Sequence, residues 1–233
     1  MGVLQPARAF STAREAVKRI RVAAAEFTWL LSRGYAGRSA LKLVGDRHSL
    51  EARQRMAIMR SACSDEALQR RREREVPLVE CRDEALGIDG YNLLVTIESA
   101  LSGGIILVGR ARCCRDLARM HGTYRKVEET TPAIERIAAG ILELGVAHVD
   151  WYFDKPVSNS GRLKALMADV LEERGWLSHF NIELVDSPDQ ILSDYDGVVV
   201  TADGPVLDRC ARWTNLAAGV IATVSSVRFV ELF

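Results

Sequence analysis

Two periodicities divide the chain. Over residues 11–74 the apolar side chains recur at helical spacing, in "STAREAVKRIRVAAAEFTWLLSRG", "GRSALKLVGDR" and "SLEARQRMAIMRSACSDEALQRRRERE", the pattern of amphipathic helices. Gly34, Gly37 and Gly45 punctuate it, Ser11 reads as a helix N-cap, and Arg33 with Gly34 reads as a basic last turn and stop. The charged stretch "RRREREVP", ending at Pro77, then reads as a linker. Beyond it the apolar runs are short and bounded: "LGI", "IILVG", "VDWYF", "IELV" and "GVVVT". Helical patterns follow at about residues 92–101, 132–144, 158–173, 189–192 and 205–218. This alternation predicts βαβ units and a mostly parallel sheet. The expected fold class is therefore α/β: a small all-helical N-terminal domain over residues 1–76 and a mostly parallel α/β domain over residues 77–233.

Composition bounds the class without naming a partner. A chain of 233 residues, 48% hydrophobic and 27% charged, can bury a sizeable core and is ordinary for a soluble globular protein. Its 31 basic residues balance 31 acidic ones, so only their distribution is informative. Up to Arg74 the basic residues outnumber the acids, and from Glu128 onward the chain is acid-rich, which suits a grip on nucleic acid beside metal chemistry. Arg33, Arg38, Lys42, Arg47, Arg53, Arg55 and Arg60 read either as a solvated helical surface or as RNA-phosphate contacts. The five cysteines form no CxxC pair and have no zinc-ligand spacing with the four histidines, so they read as buried thiols in a reducing cytosol. No signal-peptide core and no apolar run near the roughly 20 residues of a membrane span occurs. A cytoplasmic protein is expected, with the oligomeric state open and a dimer among the options. No internal repeat is visible.

The chemistry gathers on aspartates. In "EALGIDGYNLLVTIESALSGG" Asp89 stands between a short strand-like run and a helical one. One reading makes "DGYN" a turn, with Gly90 at its bend and Asn92 as N-cap. The other places Asp89 at the carboxyl edge of a parallel sheet, where open α/β folds gather ligands. Asp154 ends "VDWYFD" before Pro156, and Asp203 ends "GVVVTAD" before Gly204 and Pro205. Three acids at equivalent strand ends share one edge of a parallel sheet, and crowded carboxylates repel unless a cation sits among them. Mg²⁺ or Mn²⁺ meets that need with oxygen ligands. Asp189 in "SPDQIL", and Asp208 five residues after Asp203, could aim at the same edge or be ordinary capping and surface acids; Glu98 is a weaker candidate facing away from Asn92.

Two stretches could hold substrate. In "DKPVSNSGRLK" the residues Ser158, Asn159 and Ser160 open a helix beside Lys155 and Arg162, either a phosphate cradle or plain capping. In "CCRDLARMHGTYRKVEET" the residues Arg115, Arg119, His121, Arg125 and Lys126 surround Tyr124, as in a nucleic-acid track or in an ordinary charged surface.

"IDGYNLL", "WYFD", "SPDQIL" and "VVVTADGPVLD" resemble, in order, the acidic motifs of PIN-like ribonucleases, particularly the NYN branch. That resemblance implies a Rossmann-like α/β/α fold and RNA cleavage with a divalent metal. It carries over Asp89 and Asn92 as the first-strand motif, Asp189 as the acid of the helix before the fourth strand, and Asp203 as the acid ending that strand. Asp154 resembles the strand-end acid of a bacterial subgroup. Where NYN members often have a second acid two residues after the one matched by Asp203, this chain has Pro205, and Asp208 is the available substitute. The whole chain further resembles uncharacterised prokaryotic proteins that join a helical domain to a PIN-like one, through "LLSRGYAGRSALKLVGDRHSLEARQR", "HGTYRKVEET", "DKPVSNSGRLKALM" and "RWTNLAAGVI". The expected function is a metal-dependent ribonuclease. Its rivals are an RNA- or nucleotide-binding module with a degenerate site, and a Rossmann-like phosphatase. The phosphatase needs a second aspartate two residues after its nucleophile, where this chain has Tyr91 and Pro156.

Overall fold

The computed structural model describes residues 6–117 and 127–233, with side chains from Glu15 onward. Arg119, His121, Tyr124, Arg125 and Lys126 therefore lie outside the described residues. The chain opens with α1 (Pro6–Leu31), α2 (Gly37–Arg47), α3 (Ala52–Ser61) and α4 (Asp65–Arg74). Ser11 is inside α1, which starts at Pro6, and is not at its N-terminus. Glu51 and Gln54 form a reciprocal capping box at the start of α3, and the Ser64 hydroxyl accepts from the Ala67 N–H to start α4.

There follow β1 (Ala85–Asp89), α5 (Gly90–Leu101), β2 (Ile105–Val108), β3 (Cys114–Asp116), α6 (Thr130–Leu144), β4 (His148–Asp154) and α7 (Ser160–Glu173). The chain closes with β5 (Phe180–Val185), α8 (Pro188–Ser193), β6 (Val198–Val200), α9 (Gly204–Leu207), β7 (Trp213–Thr214), α10 (Leu216–Ala222) and β8 (Arg228–Glu231). The main sheet has the order β5-β4-β1-β6-β7, and every pair in it is parallel. From β1 the chain crosses to β4 and β5 on one side and returns to β6 on the other, so the crevice at the carboxyl ends of β1 and β6 is a topological switch point.

Side chains alternate across this sheet, as strand geometry requires. Ile88, Trp151, Phe153, Val198 and Val200 enter the core covered by α5, α6, α7 and α10, whereas Tyr152, Val199 and Trp213 enter a second one. That second face is covered by the short α8 and α9, and by Cys63, Ala67 and Leu68 in and just before α4. The protein is thus a Rossmann-like α/β/α arrangement preceded by a helical region, and one helix of that region completes an outer layer.

Three local expectations need correction. "RRREREVP" is no linker: Arg71 is 7% exposed, the Trp213 indole N–H donates to its carbonyl at 2.7 Å, and the Val76 N–H donates to the Trp213 carbonyl at 2.7 Å. "IILVG" does not join the main sheet. As β2 it lies between β3 and β8 in a separate three-stranded sheet, antiparallel to the first and parallel to the second. Ile106 and Val108 bury into the main core, and Leu107 between them buries among Phe27, Val44 and Ile58. The strand is sandwiched between two bodies, a position its sequence does not distinguish from a central strand. The helix expected over residues 205–218 is instead α9, β7 and α10, because buried Trp213 pairs with Val199 and Asn215 restarts the chain by capping Ala218.

Candidate functional site

Asp89 ends β1 with a residue exposure of only 8%. Its Oδ1 accepts from the Asn92 N–H at 3.4 Å, so Asp89, and not Asn92, is the N-cap of α5, which begins two residues earlier than expected. Gly90 serves close approach more than turn shape: a Cβ there would meet the Tyr152 carbonyl oxygen at 2.5 Å. Both predicted roles of Asp89 are therefore physically compatible, since the cap uses one oxygen only. Oδ2 accepts from the Thr201 hydroxyl at 2.8 Å, and Thr201 Oγ1 in turn accepts from the Asp203 N–H at 3.0 Å. Asn92 Oδ1 accepts from the Ala202 N–H at 3.1 Å. The ends of β1 and β6 are thereby laced together, with Asn92 fixed at the seam.

Asp89, Asn92, Asp189 and Asp203 line one cleft of about 170 Å³. Burial raises the Asp89 carboxyl to about 7, with further upward pressure from Asp203 and Asp189 and opposing help from Thr201 and Arg115. Asp189 is also raised, first by partial burial and then by Asp203. Asp203 is the formal N-cap of α9, yet its side chain makes no capping bond, and its Oδ1 is buried without a hydrogen-bond partner. Its other oxygen is 3.3 Å from Arg115, whose fork also donates to the Ala202 carbonyl at 2.9 Å.

The remaining candidates separate from this group. Asp154 stands at the same sheet edge and is raised by burial and by Asp189, but it does not line the cleft. Asp208 turns away: Arg71 donates to its carboxylate at 2.7 Å and to the Gly204 carbonyl at 3.2 Å, so its charge is spent on holding α4 to α9. The stretch read as a phosphate cradle or plain capping stands apart from the cleft. Helix α7 starts at Ser160, whose buried hydroxyl donates to the Lys155 carbonyl at 3.2 Å, while Asn159 takes a left-handed φ of 70° as N-cap and Ser158 and Arg162 lie exposed on the surface. Arg125 lies outside the described residues.

The structure brings further residues to the cleft besides Tyr91 and Val95. Arg60 of α3 and Arg115 and Asp116 of β3 line it, and Thr201 orders it from behind. Arg60 donates to the Asp116 carbonyl at 3.0 Å and lies 3.6 Å from its carboxylate. Thr201 had a local signal, because a Thr two residues before an Asp at a strand end commonly accepts from that backbone N–H. The convergence of α3 with β3 had none.

The donor set is oxygen-rich, which fits a hard dication, and Asp203 Oδ1 offers an uncommitted buried ligand atom. Among the described residues, no three His, Cys, Asp or Glu side chains already surround a common point at metal-binding range. A shared cation would draw the carboxylates together, with Asp203 Oδ1 open to it while Oδ2 faces Arg115. Also among the described residues, no helix is long and apolar enough to cross a membrane.

Comparison with known proteins follows the two regions. Residues 19–74 match the family described as "Protein of unknown function (DUF434)", and residues 78–219 match "Domain of unknown function (DUF5616)". A protein of Methanocaldococcus jannaschii, named Uncharacterized protein MJ0935, is 27% identical over 192 residues, covering 81% of this chain and 88% of the relative. No solved structure matches significantly. With more than half of its length matched over residues 78–219, the chain belongs to the family described as Domain of unknown function (DUF5616).

Proposed function

We propose that the protein is a metal-dependent ribonuclease of PIN-like, NYN-like type. The observation carrying this reading is the convergence of Asp89, Asp189 and Asp203, from three separate elements, on one cleft at the sheet's switch point. The Asp89 and Asp189 carboxyls are raised first by burial and then by the neighbouring acids, and a cation among them would offset both costs. Asp89, Asp189 and Asp203 would hold Mg²⁺ or Mn²⁺. Such an ion supplies Lewis acidity to a phosphoryl oxygen and a lowered pKa to water. Arg60 and Arg115 would bind and orient the phosphate, and Asn92, its Oδ1 fixed on the Ala202 N–H, keeps its amide donors for the same group.

Cleavage of labelled single-stranded RNA with Mn²⁺ tests this. Asp203→Asn should lose at least about 100-fold, since even groups that merely orient metal ligands cost up to that much. Chelator should stop the parent enzyme. Chelator-insensitive cleavage, or full activity in Asp203→Asn, contradicts the proposal.

One observation favours a second reading. Arg115 already supplies a positive charge at Asp203, as in an RNA- or nucleotide-binding module that has given up its metal. Unchanged RNA affinity in chelator, with no cleavage under any divalent ion, would select that reading.

A further inference from the structure

Beside the acid cleft lies a larger cavity of about 370 Å³, between α3 and α9. Arg60, Arg115 and Asp203 line both, so the two cavities adjoin, with the two guanidinium groups and the Asp203 carboxylate at the waist between them. The larger part carries apolar side chains on two sides, Met56, Met59 and Ala62 from the α3 side and Ala111, Pro205 and Leu207 opposite, with Arg71 and Cys113 also lining it. Met59 is 50% exposed at a place where an apolar side chain gains nothing from water. Ser61 also lines this cavity. It is 4% exposed, and its hydroxyl is buried without a hydrogen-bond partner, a cost that a ligand's polar edge would relieve.

We infer that this cavity takes the base of a nucleotide whose phosphate lies between Arg60 and Arg115. A nucleobase joins two apolar faces to a polar edge, and its own phosphate is one sugar away. The walls match the faces, thioether and guanidinium groups being good partners for an aromatic ring. Ser61 matches the edge, and the waist matches the phosphate. An aliphatic ligand would satisfy the walls alone, and a free phosphate the waist alone. The inference rests on the phosphodiester-site reading for the direction of the phosphate, yet is measured without any cleavage. It makes α3 part of the substrate site and implies an unpaired nucleotide at the cut, since a base seated there cannot stay stacked in a duplex.

The test uses the full chain in chelator, with AMP and ribose 5-phosphate as probes followed by calorimetry and by saturation transfer to the base protons. AMP should bind at least about tenfold, or about 1.4 kcal/mol, more tightly than ribose 5-phosphate, with saturation reaching the base. Ala62→Trp, which fills the cavity, and Met59→Glu, at an exposed position that endangers no core, should each remove that difference while ribose 5-phosphate binding persists. Equal binding of the two probes, failure of either to bind at about millimolar concentration, or an undiminished preference for AMP in folded Met59→Glu would overturn the inference. Loss of the AMP preference on these substitutions in a protein that never cleaves RNA would uphold the base site and refute the nuclease.

Discussion

At the scale of single residues, Asp89 joins a structural duty to an electrostatic penalty. Its carboxyl, at 3.8 in the absence of the fold, is lifted to about 7 chiefly by burial. Between those pH values the folded chain holds a proton that the unfolded chain has released. Stability therefore falls as pH rises through that window and is level above it, by at most about 1.4 kcal/mol per pH unit. Asp89→Asn keeps a polar cap without the charge, so in chelator it should melt close to the parent at pH 4 and above it at pH 8. Melting curves that run parallel at both values would remove the penalty from the account. Asp208, at the end of α9, is the counterexample among the candidate acids. Asp208→Ala should cost about 2 kcal/mol by stranding the buried Arg71 while leaving metal-dependent cleavage intact; abolished cleavage with unchanged stability would return Asp208 to the site. Strand-end position placed Asp89, Asp154 and Asp203 on one sheet edge, of which Asp89 and Asp203 line the cleft; Asp189, in α8, was reached through the family resemblance and not through a strand end. The sequence offered Arg60 and Arg115 only as members of two longer basic runs and Asp116 not at all, because these three meet that edge only through the packing of α3 and β3. Nor could it tell Asp208 from Asp203, since that depended on an arginine 137 residues away.

Among the elements, α4 and β2 decide how far the protein divides. Periodicity identified most of the helices, the one over residues 205–218 excepted, and the parallel sheet followed from the alternation. The linker reading failed because a run of arginines looks solvent-bound in sequence, whereas Arg71 and Arg74 donate into α9 and the turn after it. Helix α4 covers Val199 and Trp213 on the sheet's second face. Losing such cover costs about 1.5–3 kcal/mol for each large apolar side chain. Limited proteolysis of the native protein should therefore spare residues 70–77, and a fragment of residues 77–233 expressed alone should be poorly folded, with exposed apolar surface that binds a hydrophobic dye. A stable, cooperatively melting fragment would restore two independent domains. Leu107 gives a second check from the other side: Leu107→Ala should cost about 2–5 kcal/mol, because its side chain is shared with α1, α2 and α3.

For the whole molecule, balanced charge conceals a local arrangement. Several basic groups of the helical region are already paired: Lys42 and Arg55 with Asp46, and Arg47 with Glu26. The excess of arginine up to Arg74 is thus a weaker sign of RNA contact than the two arginines turned into the cleft. Arg115→Ala should reduce RNA affinity and its salt dependence more than Arg38→Glu on the outer surface, as filter binding across a salt series would reveal; the reverse order would make the helical surface the main RNA contact. The central claim is that the carboxyl edge of the sheet is a divalent-cation site. Anomalous diffraction from crystals grown with Mn²⁺ tests it most directly. The expected result is a peak held by Asp89, Asp189 and Asp203; a saturating soak that yields no peak among those three carboxylates would contradict that claim.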